Sequence, residues 1–132
     1  MAERETALGF ETGFVPGRHI IDTYGNGGFR FAGMSHRGSI LLLPSGVRAW
    51  DVASVKAIDR TALRPVQAEA AGIELLLVGT GLDIAAIAPA LRGWLKDFGV
   101  GLDVMQTGAA ARTYNILVAE NRKVAAALIA VD

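Results

Sequence analysis

The stretch that most constrains this chain is Ile73-Glu74-Leu75-Leu76-Leu77-Val78, an aliphatic run that stops at Gly79-Thr80-Gly81. Short, apolar, β-rich runs closed by turn residues read as strands buried within a sheet, so Glu74–Val78 is expected to be one. Such a strand needs helices packed over it, and the downstream sequence supplies them. Pro89 suits a first helical turn. Leu91, Trp94, Leu95 and Phe98 then recur at helical spacing, with Arg92, Lys96 and Asp97 outward. Gly99 stops this helix, and Val100–Met105 reads as the next strand. Thr107 is placed to cap a helix from about Ala109 to Glu120, with Tyr114, Leu117 and Val118 inward. Strand–helix–strand–helix order implies parallel strands joined by right-handed crossovers.

The first half has a different grain. Ile20, Ile21 and Tyr24 mark a short strand. Gly25-Asn26-Gly27-Gly28 is a tight turn, and Phe29-Arg30-Phe31 alternates as a half-buried strand does. Gly33 and Gly38 bracket a bend around His36. Ser39–Leu43 is a strand closed by Pro44-Ser45-Gly46, and Val47 to Ile58 reads as a further strand or extended segment. Together these form an antiparallel unit. Thr61 is placed to cap a short helix to about Ala70, with Pro65 in its first turn and Gly72 at its end. At the other end, Val124–Val131 supports two readings. Its alanines favour continuing the preceding helix, whereas Glu120-Asn121-Arg122-Lys123 also fits a turn before a last strand.

These elements make one α/β domain: a central mixed sheet with flanking helices and an N-terminal antiparallel β unit. Residues 1–14 are expected to be a flexible lead-in and 15–132 a single globular domain. With 132 residues, 52% hydrophobic and 20% charged, the chain is long enough for one real core. Its mean hydropathy is +0.36, but no apolar run approaches the roughly 20 residues of a spanning helix. The reading is a soluble protein with no transmembrane segment. The first ten residues lack the pattern of a secretory signal, which points to the cytoplasm. Thirteen basic residues balance thirteen acidic ones, leaving no net field to attract nucleic acid. With no cysteine, disulfides, thiol catalysis and thiolate metal sites are excluded.

Gly79-Thr80-Gly81 after a buried strand suggests a phosphate loop, but the details fail. The third position of a dinucleotide fingerprint is Ile84, not glycine, and no lysine stands between Gly79 and Leu95 to complete a P-loop. No cofactor is expected. Two functions stay open for the loop: a turn at the sheet edge, or one wall of a cleft, since ligands of open α/β sheets bind outside the strand carboxyl ends. The other wall would be Arg112, Thr113 and Asn115 near a helix start, where a guanidinium and the helix dipole favour an anion. Their alternative is local bonding to neighbouring backbone. Glu74 and Asp103 could pair as acid and base if their strands are neighbours. His19 and His36 lack metal-ligand spacing, and Ser45 lies outside any nucleophile elbow. With no complete catalytic set, the chain is not expected to be an enzyme. Trp50 and Trp94 are expected as core anchors, an exposed Trp50 being the mark of a partner surface.

The ordered pieces Tyr24-Gly25-Asn26-Gly27-Gly28-Phe29, Gly38–Pro44, Trp50, Glu74–Gly81, Met105-Gln106-Thr107, Arg112-Thr113-Tyr114-Asn115 and Arg122–Leu128 resemble one family. It is the uncharacterised-domain family that includes mitochondrial NADH:ubiquinone oxidoreductase (complex I) assembly factor 3. The resemblance covers about residues 15–130. It implies a three-layer domain in which Val124–Ile129 is the last strand, antiparallel to its neighbours. It also implies a non-enzymatic role with an unidentified protein partner, as the mitochondrial relative assists complex assembly through protein contacts. A homodimer is compatible with it.

Overall fold

The computed structural model describes residues 13–132, so the expected lead-in lies almost wholly outside the described residues. Its end is not a lead-in: β1 (Phe14–Pro16) forms an edge strand. The other strands are β2 (Thr23–Gly25), β3 (Gly28–Phe31), β4 (Met34–Arg37), β5 (Ser39–Leu42), β6 (Gly46–Trp50), β7 (Leu75–Gly79), β8 (Gly101–Met105) and β9 (Val124–Leu128). The helices are α1 (Arg64–Ala68), α2 (Pro89–Asp97) and α3 (Thr107–Ala119).

The antiparallel unit divides in two. Strands β2, β3 and β4 form their own sheet, while β5 and β6 join a six-stranded mixed sheet of order β1-β6-β5-β9-β7-β8. Two-residue turns build the small sheet. Asn26-Gly27 and Ala32-Gly33 all have positive φ, between 52° and 80°, as the tight hairpin turn that matches strand twist requires. Because Ala32-Gly33 reverses the chain so early, the bend expected around His36 is instead strand β4, with His36 opposite Phe29. Phe29 and Phe31 point inward and Arg30 outward, as the alternation implied.

Alternation along the large sheet sends side chains into two cores. On one face Leu41, Leu76, Val78, Ala125 and Ala127 meet Val66 of α1 and Leu91 and Leu95 of α2. On the other, Ile40, Leu42, Leu77, Ala126 and Leu128 meet Ala110, Ala111 and Tyr114 of α3 and the small sheet's Phe29 and Phe31. The result is three layers. Trp50 is buried, and its indole N–H donates to the Ala62 carbonyl at 2.9 Å. Trp94 is half-buried, edge-on to Phe98 at 4.9 Å.

Three local expectations change. Thr61 does not cap α1; the Asp59 carboxylate accepts from the Ala62 N–H at 2.8 Å, and α1 opens at Arg64 with Pro65 in its first turn. Thr107 does not cap α3; the Gln106 side chain accepts from the Gly108 N–H at 2.7 Å, and Thr107 lies inside the helix. The last strand runs antiparallel to β5 but parallel to β7, so it joins the two halves of the sheet. All five of its residues are buried. Its alanines let layers approach on both faces, and pairing on both edges overrides their helix preference.

Candidate functional site

From β7 the chain crosses by α2 to β8 on one side, then returns by α3 to β9 on the other. Consecutive right-handed crossovers in opposite directions place α2 and α3 on opposite faces. The carboxyl ends of β7 and β8 are therefore a topological switch point, where open α/β sheets hold ligands. Gly79-Thr80-Gly81 sits there.

The switch point is stitched closed. The Thr80 N–H donates to the Met105 carbonyl at 2.9 Å, and the Gly81 N–H donates to Thr107 Oγ1 at 2.9 Å. The Gly81 carbonyl accepts from the Thr107 N–H at 2.9 Å, and Thr107 Oγ1 donates to the Ile129 carbonyl at 2.7 Å. Neither N–H of Thr80 or Gly81 is left for an anion. The two glycines have separate reasons. A Cβ on Gly79 would come 2.9 Å from Thr107 Cα, so glycine there admits α3. Gly81 has open space around it but φ +107°, which the turn demands.

Arg112, Thr113 and Asn115 diverge, because each step along a helix turns by about 100°. Thr113 faces β8, its Oγ1 donating to Met105 Sδ at 3.7 Å. Asn115 faces the segment before β2: its Oδ1 accepts from the Ile21 N–H at 2.9 Å and its Nδ2 donates to the Ile21 carbonyl at 2.8 Å. Thus Asn115 takes the place of a neighbouring strand. Two turns earlier, Tyr24 lies against Gly108, where a Cβ would collide with its hydroxyl. From Gly108 to Asn115 is about 10 Å of helix, and Ile21 to Tyr24 is about 10 Å of extended chain. The two therefore run side by side, joined at both ends.

Between the joins lies a recess of about 360 Å³, lined by Ile21, Asp22, Thr23, Tyr24, Ala111, Arg112 and Asn115. It holds no residue of the 79–81 loop. Asp22, Thr23, Tyr24 and Arg112 are exposed, and their side chains have no hydrogen-bond or ion-pair partner among the described residues. Below it, burial pushes the Tyr114 phenol above its usual range, while the Arg18 charge draws it back.

The remaining candidates do not assemble. Alternation sends Glu74 to the α1/α2 face, with Leu76, and Asp103 to the α3 face, opposite to Leu102. Both are exposed and about three residues apart along the strands, so they form no acid–base pair. Ser45 is tied to the Glu69 carboxylate through its N–H (2.9 Å) and hydroxyl (2.5 Å). His19 donates to the Pro16 carbonyl at 2.9 Å. Burial lowers the His36 pKa, partly offset by a backbone hydrogen bond with Ser39. Sequence reasoning missed the recess's second wall, Asp22 and Thr23 beside Tyr24. Their only signal was polarity between Ile21 and the Asn26-Gly27 turn.

These features define a small mixed α/β domain whose switch point is closed and whose open ground lies along α3. The chain belongs to the family described as protein of unknown function (DUF498/DUF598), whose model matches residues 21–129. It is 35% identical over 110 residues to NADH dehydrogenase (ubiquinone) 1 alpha subcomplex assembly factor 3 of Xenopus tropicalis, covering 83% of this chain and 60% of that one. Among solved structures it is similar to one called an outer membrane protein from Bartonella henselae: 48% identity, TM-score 0.85, covering 89% of this chain and 98% of that one. It is also similar to a Bordetella pertussis protein described as a Mth938-like domain: 31% identity, TM-score 0.74, 85% of each chain covered. Among the described residues no helix is long and apolar enough to cross a membrane, and no group of three or more His, Asp and Glu could hold a metal ion.

Proposed function

We propose that this chain is a non-enzymatic, cytoplasmic protein-binding module that assists assembly of a respiratory or other membrane-associated complex. The observation that carries this reading is the similarity to an assembly factor across 83% of the chain. The separation of Glu74 from Asp103 and the engagement of Ser45 by Glu69 agree with it. The test is tagging at the native locus, purification in mild detergent, and native-gel analysis of a deletion strain. Subunits of one membrane-associated complex should co-purify, and the deletion should lower assembled complex while leaving its subunits synthesised. No enrichment over an untagged strain, with normal assembly, would defeat the reading.

A second reading, a small-molecule or anion site, has one specific observation behind it. Arg112, Thr23 and Tyr24 present donors with no partner among the described residues around the recess, and a guanidinium suits a carboxylate or phosphate. In this version Gly79-Thr80-Gly81 supports α3 and does not form the opposite wall. A ligand at 100 times its dissociation constant adds about 2.7 kcal/mol. Phosphate, nucleotides and dicarboxylates should therefore raise the unfolding midpoint of the wild type and not of Arg112→Ala.

A further inference from the structure

The loop after Gly81 combines hydrogen bonds to the Thr80 hydroxyl with apolar exposure. Leu82 is 72% and Ile84 68% exposed, the highest values among the exposed large hydrophobic residues. Ala86, Ala88 and Ala90 are exposed beside them, and Asp83 is the one charge between 82 and 90. Single exposed aliphatics are ordinary, but a contiguous group in a nearly uncharged segment is not.

Thr80 holds this segment in place. Its hydroxyl donates to the Asp83 carbonyl at 2.7 Å and accepts from the Ala85 N–H at 3.1 Å. Farther along, Ile87 packs on the core of the α1/α2 face, and Pro89 starts α2. The N–H groups of Ile84, Ala86, Ile87 and Ala88 have no partner among the described residues.

We infer that Leu82 and Ile84 are an apolar docking projection, braced by Thr80, that inserts into an aliphatic cleft on a partner polypeptide. This rests on the protein-binding reading above and says where that binding occurs. The chemistry selects the occupant. Lipid is disfavoured because hydrocarbon offers no acceptor to the unpaired N–H groups, and Asp83 opposes an anionic surface. A second copy is disfavoured because a two-fold contact would set Asp83 against Asp83 and N–H donors against N–H donors. The molecule's own recess is rimmed by Asp22, Thr23 and Arg112, a polar ring unsuited to a leucine. A partner cleft with aliphatic walls and carbonyl groups at its rim satisfies both the side chains and the N–H groups.

The test places a photo-crosslinking amino acid in the full chain, in its native cell, at positions 82, 84, 24, 112 or 56. Positions 82 and 84 should each give one discrete heteromeric adduct, attached through aliphatic residues of the partner and undiminished in 1 M salt. With the probe at 82, Ile84→Ser should reduce the yield at least about tenfold, and Ile84→Val should keep it. Leu82→Ser and Leu82→Val should do the same for a probe at 84. The exposed serine variants should melt with the wild type, and the valine variants carry the comparison if they do not. Adducts with lipid, or with a second copy, would overturn the inference. Protein adducts only from 24 and 112 would overturn it while leaving the binding reading intact. No adduct from any position would defeat both.

Discussion

The switch point at β7 and β8 and the flank of α3 are built from the same kinds of residue. Each has a glycine at a close contact with the start of α3, Gly79 beneath the helix and Gly108 within it, and polar groups near its first turns, and the chain uses them in opposite ways. At the switch point the N–H groups of Thr80 and Gly81 are both spent: Thr80 on Met105, Gly81 on Thr107. Along α3, between the joins at Gly108 and Asn115, four polar side chains have no partner among the described residues. A fold can therefore reach a ligand-binding topology and close it. Unspent donors, rather than glycine patterns, separate a brace from an opening.

The sharpest way to break that contrast is at Thr107. Thr107→Val should destabilise the domain by about 2–4 kcal/mol, because it leaves the buried Gly81 N–H and Ile129 carbonyl each short of a partner. Thr107→Ser should recover most of the loss. Denaturant titration measures both. A near-neutral Thr107→Val would mean that the stitching is incidental and the switch point open after all.

Asn115 tests the join between the two regions. Asn115→Ala removes both hydrogen bonds to the Ile21 backbone. It should cost about 1–2 kcal/mol, less than Thr107→Val, because this half-buried site readmits water. Hydrogen exchange should quicken at Ile21 and leave Gly81 protected. Equal loosening at both amides would show that brace and recess are one cooperative unit.

The sequence showed the brace's elements better than its neighbours. Strand β7, helix α2 and the Gly99 stop follow from period and turn chemistry, which are local. Strand β1 escaped because it has three residues, one of them proline, and exists by pairing with β6. Strand β4 escaped because Ala32, a residue with no preference for positive φ, makes the turn before it. Nor does β9 announce itself, since alanine suits a helix until burial on both faces decides. For the site, Arg112, Thr113 and Asn115 were legible as polar positions on one helix. Which side each faces depends on where the small sheet docks, and no local signal encodes that.

A smaller effect is expected at Gly108. Gly108→Ala puts a methyl group into the Tyr24 hydroxyl end of an exposed ring. The ring can swing away, and alanine favours the helix, so stability should change by less than about 1 kcal/mol. The recess, however, should lose its Tyr24 wall. The Tyr24 ring resonances should move in an NMR spectrum while those of Thr107 stay. If Thr107 moved as well, the brace would not be independent of the flank.

The smallest expected stability effect falls on Arg112, and it separates the two regions most cleanly. Its guanidinium has no partner among the described residues, so Arg112→Ala should change folding stability by no more than about 0.5 kcal/mol. A side chain that costs nothing to remove from the fold is free to serve something outside it. Under the anion reading, Arg112→Ala would abolish the ligand-induced rise in unfolding midpoint; under the docking reading it would leave crosslinking from 82 and 84 unchanged. A loss of more than about 1 kcal/mol would instead place Arg112 in the structural framework beside Asn115, and the recess would lose its claim to be open ground.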